Sequence, residues 1–453
     1  MKSVNPSIGE VIHDYSPHSE QQIATSIENA QACFLEWKQE PFAHRAALMR
    51  EAAAVLRRYK NKFALLMAEE MGKVIREGEA EIEKCASVCE YYAQHAEAML
   101  ADEHIKTEAR SSYISYRPIG VVLAIMPWNF PFWQVFRFAA PNLMAGNVGV
   151  LKHASNVSGC ALAIEEIFRE AGFPQGCFTT VLVSGAEAES IIEHPFIRAV
   201  TLTGSCEAGR KVAAKAGACL KKTVLELGGS DAYVVLSDAD LKSAAKECAK
   251  SRLINAGQSC VAAKRFIVHS SVRTKFEKYF VAYLETIITG DPQDAKSGIG
   301  PMARVDLRDA LHEQVQKSIA QGAKLLLGGT VPPGKGAFYL PTVLTSVTPG
   351  MPAFDEELFG PVAAIIEAKD EEEAFALANA SSFGLGSAVF TSDTQRGEKL
   401  ARTKLDAGQA FVNSLVRSDP RLPFGGVKDS GYGRELSALG IKEFVNAKTI
   451  YVA

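Results

Sequence analysis

One cysteine of nine stands apart from the rest. Cys260 lies in the stretch NAGQSCVAAKR, residues 255–265, a small polar turn rich in Ala, Gly and Ser that runs into the apolar, β-branched segment FIVH. A substrate can reach a thiol in such a loop, and backbone N–H groups around it would favour the thiolate, the nucleophilic form. Most cysteines of a soluble chain are small buried hydrophobes, and that reading suits the other eight, which are Cys33, Cys85, Cys89, Cys160, Cys177, Cys206, Cys219 and Cys248. Three more clusters could carry chemistry. In LELGG, Glu226 follows an apolar run and precedes Gly228 and Gly229; a carboxyl group in an apolar setting has a raised pKa and suits a general base, although a capping or edge glutamate has the same signature. In PWNFP, Asn129 is held between prolines, where its side-chain N–H could stabilise an oxyanion or merely cap a rigid turn. Thr203-Gly204-Ser205 ends the run AVTLTGS before a helical stretch, and a glycine there lets the backbone approach a pyrophosphate at a helix N-terminus. That spacing is neither GxGxxG nor a P-loop, so an ordinary turn fits it too.

These clusters need a scaffold, and the hydrophobic pattern describes one. Residues 19–103 repeat apolar positions at three and four, which predicts a helical opening. From Ser111 the pattern becomes SYISYRPIGVVLAIMPW, an edge-type strand running into a buried one. Strand-like runs (VGVLKH, FTTVLV, AVTLTGS, KTVLELGG) then alternate with helical ones, the βαβ rhythm of a parallel, doubly wound sheet. A second α/β stretch begins near Asp231, with strands expected at 233–236, 265–269, 363–367 and 387–391. The tail EFVNAKTIYVA reads as a terminal strand that must pair with something. The division expected is a dinucleotide-binding domain from 1–105 and 119–230, a catalytic domain over 231–430, and bridging segments at 106–118 and 431–453. No repeat, low-complexity tract or long linker separates them, so a cleft between the two α/β domains is expected.

Composition narrows the partners. A chain of 453 residues is long for one core, and 47% hydrophobic and 22% charged residues with a net charge of -3 give no bias toward nucleic acid or anionic membrane. The N-terminus lacks a signal-peptide core, and the longest apolar run, 119–128, is about half a membrane span. The cysteines form no CxxC pair and no His/Cys spacing suited to zinc, so neither metal nor structural disulfides are expected. A cytosolic protein acting on a small molecule follows.

Taken in order, PWNFP, LKHAS, TLTGS, LELGGSDA, NAGQSCVAAKR, EELFGPV and PFGGVKDSGYGRE resemble the motifs of the NAD(P)-dependent aldehyde dehydrogenase superfamily over nearly the whole chain. The resemblance implies two doubly wound α/β domains plus a small β bridging domain that exchanges strands between subunits, hence a homodimer or homotetramer. It implies Cys260 as nucleophile, Glu226 as base and Asn129, with the Cys260 backbone N–H, as oxyanion hole. It assigns Lys152 to the adenosine ribose, Gly204 and Ser205 to the pyrophosphate, and Glu357 and Phe359 to the nicotinamide ribose and ring, with Trp128 and Gly228 also lining the cofactor cleft. The cofactor is NAD or NADP. Strictly NAD-using relatives commonly carry a glutamate where Ser155 stands here, so a 2′-phosphate is expected to be tolerated.

The substrate is read from Arg137, eight residues after Asn129. In the succinate semialdehyde dehydrogenase branch this position carries an arginine for the substrate carboxylate, and an arginine in the apolar stretch FWQVFRFAAP calls for an anionic partner. On that reading Arg137→Ala slows carboxylated aldehydes and spares neutral ones. The branch's second arginine is absent, because Ile254 occupies its place; Arg417 or Arg421 is expected to substitute for it. Ala262 stands where some semialdehyde dehydrogenases have a second, redox-switching cysteine. The resemblance is greatest to the short succinate semialdehyde dehydrogenases. Another semialdehyde such as glutamate semialdehyde would use the same catalytic residues, Glu226 argues against release to CoA, and the intact trio of Cys260, Glu226 and Asn129 argues against an inactive dinucleotide-binding protein.

Overall fold

Continuously apolar runs form strands covered on both faces. The computed structural model describes residues 1–453, and in it VVLAIM becomes the strand Val121–Met126 at the middle of a six-stranded sheet. Across that sheet the order is Gly431–Tyr432, Lys222–Glu226, Ile197–Thr203, Val121–Met126, Val148–His153 and Phe178–Thr180. All neighbours are parallel except Gly431–Tyr432, which pairs antiparallel with Lys222–Glu226. The chain winds outward from Val121–Met126 to one edge and returns to fill the other side, so the strand order reverses between Val121–Met126 and Ile197–Thr203. In open α/β sheets, ligands bind outside the carboxyl ends of the strands at such a reversal.

The helical opening resolves into Glu20–Trp37, Phe42–Arg58, Lys60–Met71 and Ile75–Met99. Ser19 starts it with a capping box to Gln22, and Gly72, at φ 79°, ends the third helix in the left-handed conformation that glycine adopts without strain. These helices share one core of 71 buried residues with the first sheet, which assigns them to that half of the molecule.

The second sheet has seven strands in the order Lys324–Leu327, Thr342–Thr345, Val362–Ala368, Arg265–His269, Ala232–Val235, Gly386–Phe390 and Gln409–Val412. Only Lys324–Leu327 runs antiparallel. The four strands expected in this half are present; the three not expected are four residues each, too short to show a period.

The third sheet is antiparallel: Val445–Val452 pairs along its whole length with Ser111–Pro118, which also pairs with Glu103–His104. The bridging segment expected over 431–453 is therefore shorter in this sheet, because Gly431–Tyr432 joins the edge of the first sheet instead.

Candidate active site

Four of the motifs sit at the carboxyl ends of adjacent parallel strands. PWNFP follows Val121–Met126, LKHAS ends Val148–His153, Thr203-Gly204-Ser205 ends Ile197–Thr203, and LELGG ends Lys222–Glu226. Thr203 and Glu226 are register partners, and the Gly204 N–H donates to the Glu226 carbonyl at 3.0 Å. Ser205 caps the helix Cys206–Ala218, its hydroxyl accepting from the Ala208 N–H. The helix N-terminus thus starts beside Gly204, and helix N-termini are where backbone N–H groups and the helix dipole favour a pyrophosphate.

Cys260 arrives from the other half of the molecule. The helix Leu241–Leu253 ends in a turn where Asn255, Ala256 and Gly257 all have positive φ, at 54°, 52° and 76°. Ala256 is strained in that conformation, and such strain is tolerated where neighbours fix the backbone. Gly257 leaves no choice of residue, since a Cβ there would lie 2.2 Å from the Gly360 carbonyl oxygen. The kinked turn aims Cys260 at the junction of two cavities. One, of about 270 Å³, is lined by Trp128, Asn129, Thr203, Gly204, Ser205, Gly228, Glu357 and Phe359 among others. The second, of about 220 Å³, lies toward Trp133, Arg137, Ile254, Arg417 and Phe424. Cys260 and Gln134 line both.

Asn129 is buried and fully oriented. Its Oδ1 accepts from Gln134 Nε2 at 3.0 Å, which fixes which end of the amide carries hydrogen, and its Nδ2 donates one hydrogen to the Gln258 carbonyl at 3.0 Å. An amide NH2 has a second hydrogen, free for a substrate oxygen. The Asn129 carbonyl in turn accepts from Asn255 Nδ2 at 2.7 Å and Lys73 Nζ at 3.0 Å. Lys73 is ion-paired with buried Glu81, whose other oxygen caps the helix Trp133–Met144 through the N–H groups of Phe132 and Trp133.

Glu226 is buried and neither carboxyl oxygen has a hydrogen-bond partner. A Cβ at Gly425 would lie 2.7 Å from its Oε1, so the glycine makes room for it. Burial first, and the nearby Glu435 carboxyl second, push Glu226 up to about 8. An unpartnered carboxyl group poised near neutrality is equipped to take a proton from water.

The thiol differs from expectation. Burial pushes Cys260 up to about 12, and Glu226 and Glu357 push the same way, against the pull of Arg137 and Lys264. Desolvation thus outweighs the surrounding donors, and the resting group is the thiol rather than the thiolate.

The candidate cofactor residues divide into two groups. Glu357, Phe359, Trp128, Gly204, Ser205 and Gly228 come together around one cavity, with Trp128 and Phe359 meeting edge to face at 5.8 Å. Lys152 and Ser155 lie farther along the sheet, the first at the end of Val148–His153 and the second exposed in the turn Ser155–Val157.

The arginines need correction. Arg137 lies in the cavity wall, but its charge is already engaged: Nε is ion-paired with buried Glu435, Nη2 donates to Thr203 Oγ1 at 3.2 Å, and the guanidinium stacks 4.5 Å over Phe424. Arg137 is therefore a structural ion pair whose side chain also lines the cavity. Arg421 is not in the cavity; it is exposed and held by Asp419, with Nε 2.9 Å from Oδ1. Arg417 does line the cavity, from the exposed side.

Sequence reading also missed Lys264, four residues after the nucleophile. Fully buried, it donates to the Ser259 and Cys260 carbonyls at 2.8 and 2.6 Å and lies 3.5 Å from Glu357 Oε1. One cation therefore ties the nucleophile's loop to the carboxylate on the cofactor side. Its spacing was visible, but its acidic partner, Glu357, lies nearly a hundred residues away.

The chain matches the aldehyde dehydrogenase family over residues 1–450. It is 48% identical over 451 residues to a Synechocystis protein named probable succinate-semialdehyde dehydrogenase (NADP(+)), spanning 100% of this chain and 99% of that protein. It is 47% identical to the Escherichia coli succinate semialdehyde dehydrogenase (NAD(P)+), spanning 99% of this chain and 97% of that protein. The crystal structure of succinic semialdehyde dehydrogenase from Streptococcus pyogenes in complex with NADP+ superposes with a TM-score of 0.97 at 37% identity, covering 100% and 99% of the two chains. A nucleophile, an oriented amide and an unpaired carboxyl group at the reversal of a parallel sheet, together with family identity along the whole sequence, place this chain in the aldehyde dehydrogenase family as an NAD(P)-dependent enzyme.

Proposed function

We propose that the protein oxidises succinate semialdehyde to succinate with NADP+ or NAD+. The observation that carries the substrate is the cavity on the far side of Cys260, which is apolar near the thiol and carries cationic groups from Arg137 and Arg417 in its wall. The relatives named for this substrate support the same reading. Tolerance of a 2′-phosphate is supported by Ser155, exposed in its turn.

The residues around the first cavity fit a dinucleotide: Gly204 and Ser205 at the start of the helix Cys206–Ala218, and Glu357 and Phe359 in the wall that Cys260 also lines. Once bound, the cationic nicotinamide supplies the hydride acceptor and a positive charge beside the thiol. The Cys260 thiol gives up its proton to solvent, and the sulfur attacks the aldehyde carbon while Asn129 Nδ2 and the Cys260 N–H hold the oxygen that becomes negative. Collapse of the thiohemiacetal expels hydride and leaves a thioester on Cys260. Glu226 then takes a proton from water, which attacks the thioester and releases the acid and the thiol. Cysteine suits both halves because it is a strong nucleophile and a good leaving group.

The test is NADPH and NADH formation with succinate semialdehyde beside butanal, a neutral aldehyde of the same chain length. The expected result is a kcat/KM at least about 10-fold higher for the carboxylated aldehyde, the size of one charge-assisted bond. Equal values would overturn the substrate reading and leave aldehyde oxidation standing.

A homo-oligomer, dimer or tetramer, belongs to the same proposal. Val445–Val452 is the outer strand of its sheet, with Tyr451 and Val452 exposed, and an eight-residue free edge invites pairing with a second chain. Light scattering at micromolar concentration is expected to give a multiple of the chain mass; a monomer mass would refute it. Placement in the cytosol rests on the scattered cysteines.

A further inference from the structure

We propose that Lys84 binds the substrate carboxylate, as the second cation in place of the arginine that the sequence lacks at Ile254. The inference rests on the reading of succinate semialdehyde as substrate. Lys84 lies on the helix Ile75–Met99 and lines the same cavity as Cys260, Ile254 and Arg137. Its ammonium group is held in place rather than waving in solvent: Nζ donates to Ser418 Oγ at 2.6 Å and sits 4.1 Å over the Trp133 ring. A lysine on a helix is usually either solvated or paired with an acid, and Lys84 is neither; it is half-buried and forms no ion pair.

The acids around the cavity are committed elsewhere. Glu81 pairs with Lys73 and caps the Trp133–Met144 helix. Glu77 accepts from the Asn255 N–H, and burial raises its pKa. Asp419 is held by Arg421. Glu435 is taken by Arg137. Lys84 thus lines the cavity beside Arg137 and Arg417 with no ion-pair partner of its own, while the acids that act on its charge, Glu81 and Asp419, are already paired with Lys73 and Arg421. A substrate carboxylate would give Lys84 the partner it lacks, and the apolar side chains that share the cavity wall, among them Trp133, Val261 and Phe424, suit the short methylene chain of a four-carbon aldehyde acid. Burial and repulsion from Arg137 lower Lys84 to about 8, so it remains largely protonated at neutral pH, and a bound anion would relieve both effects.

This answers which group stands in for the missing arginine. Arg421 is outside the cavity and bound to Asp419, and Arg417 is exposed at its mouth. Neither has the fixed position that Trp133 and Ser418 give Lys84. Sequence reading could not find it, because three strands separate the helix of Lys84 from Asn129 and Lys84 belongs to no motif.

The experiment compares the wild-type enzyme with Lys84→Met, Lys84→Gln and Lys84→Arg on succinate semialdehyde and butanal. The quantity read is the ratio of kcat/KM for the two aldehydes. Lys84→Met and Lys84→Gln are expected to lower that ratio by about 10-fold to 100-fold, chiefly through KM, with Lys84→Arg keeping most of it. A ratio unchanged in Lys84→Met and Lys84→Gln, with the wild-type enzyme still preferring succinate semialdehyde, would overturn the role of Lys84 and leave the substrate reading intact. Equal losses on both aldehydes would assign Lys84 to structure and overturn it as well. A wild-type enzyme without preference would overturn the substrate reading itself.

Discussion

Glu226→Gln is expected to give a stoichiometric burst of NAD(P)H followed by a steady state slowed by about 10²-fold to 10⁴-fold, the range for losing a general base. Glutamine keeps the shape of the buried side chain but cannot take a proton, and only hydrolysis of the thioester needs water deprotonated. Wild-type acid release should rise with pH. The sign follows from Glu226, which burial and Glu435 push up to about 8: the carboxyl group is neutral, and unable to act as base, below that value and ionised above it. The rise through pH 8 should be absent from the steady state of Glu226→Gln. Stopped-flow absorbance of the reduced cofactor measures both phases. Loss of the burst together with turnover would instead make Glu226 the group that deprotonates Cys260. That alternative has a cost, because an ionised Glu226 raises the thiol further.

The second large effect is expected at Arg137, and it falls on neutral aldehydes as well as carboxylated ones, unlike the selectivity expected from sequence alone. Arg137→Ala removes the partner of Glu435 and leaves a carboxyl group buried without compensation, which in measured cases costs about 3–5 kcal/mol. It also removes the cation that draws Glu226 and Cys260 downward. Thermal stability should fall, and turnover of butanal should fall along with that of succinate semialdehyde. A double variant, Arg137→Ala with Glu435→Gln, should recover part of the stability by removing the orphaned charge. An Arg137→Ala enzyme with wild-type melting temperature and wild-type butanal turnover, slowed on succinate semialdehyde alone, would show that the Glu435 ion pair is dispensable and that Arg137 serves the substrate only.

Much of the site was legible because its residues stand in local motifs. Cys260, Glu226 and Asn129 each follow or precede a strand or turn whose pattern is visible within ten residues, and the alternation of strand and helix over 121–226 places all four of the motifs at strand ends. Pairings across long separations were not legible. Arg137 and Glu435 lie about three hundred residues apart, and nothing near Arg137 in sequence says that an acid awaits it. Burial is equally hidden: Cys260 sits in a polar stretch, yet side chains from both halves of the chain, among them Gln134, Arg137 and Phe424, surround it and desolvation decides its acidity. The strand Gly431–Tyr432 shows the same limit, since two residues carry no period and only the edge of Lys222–Glu226 selects them.

The proposed reaction passes through a covalent thioester at Cys260, and the most direct measurement is the mass of that intermediate. Glu226→Gln, mixed with NADP+ and succinate semialdehyde, quenched in acid at the end of the burst and digested, should yield the peptide containing Cys260 with one succinyl group attached. The same treatment without NADP+ should leave that peptide unmodified, because the thiohemiacetal reverses on quenching. Reduced cofactor formed in the burst with Cys260 found as a free thiol, or the acyl group found on another residue, would contradict it.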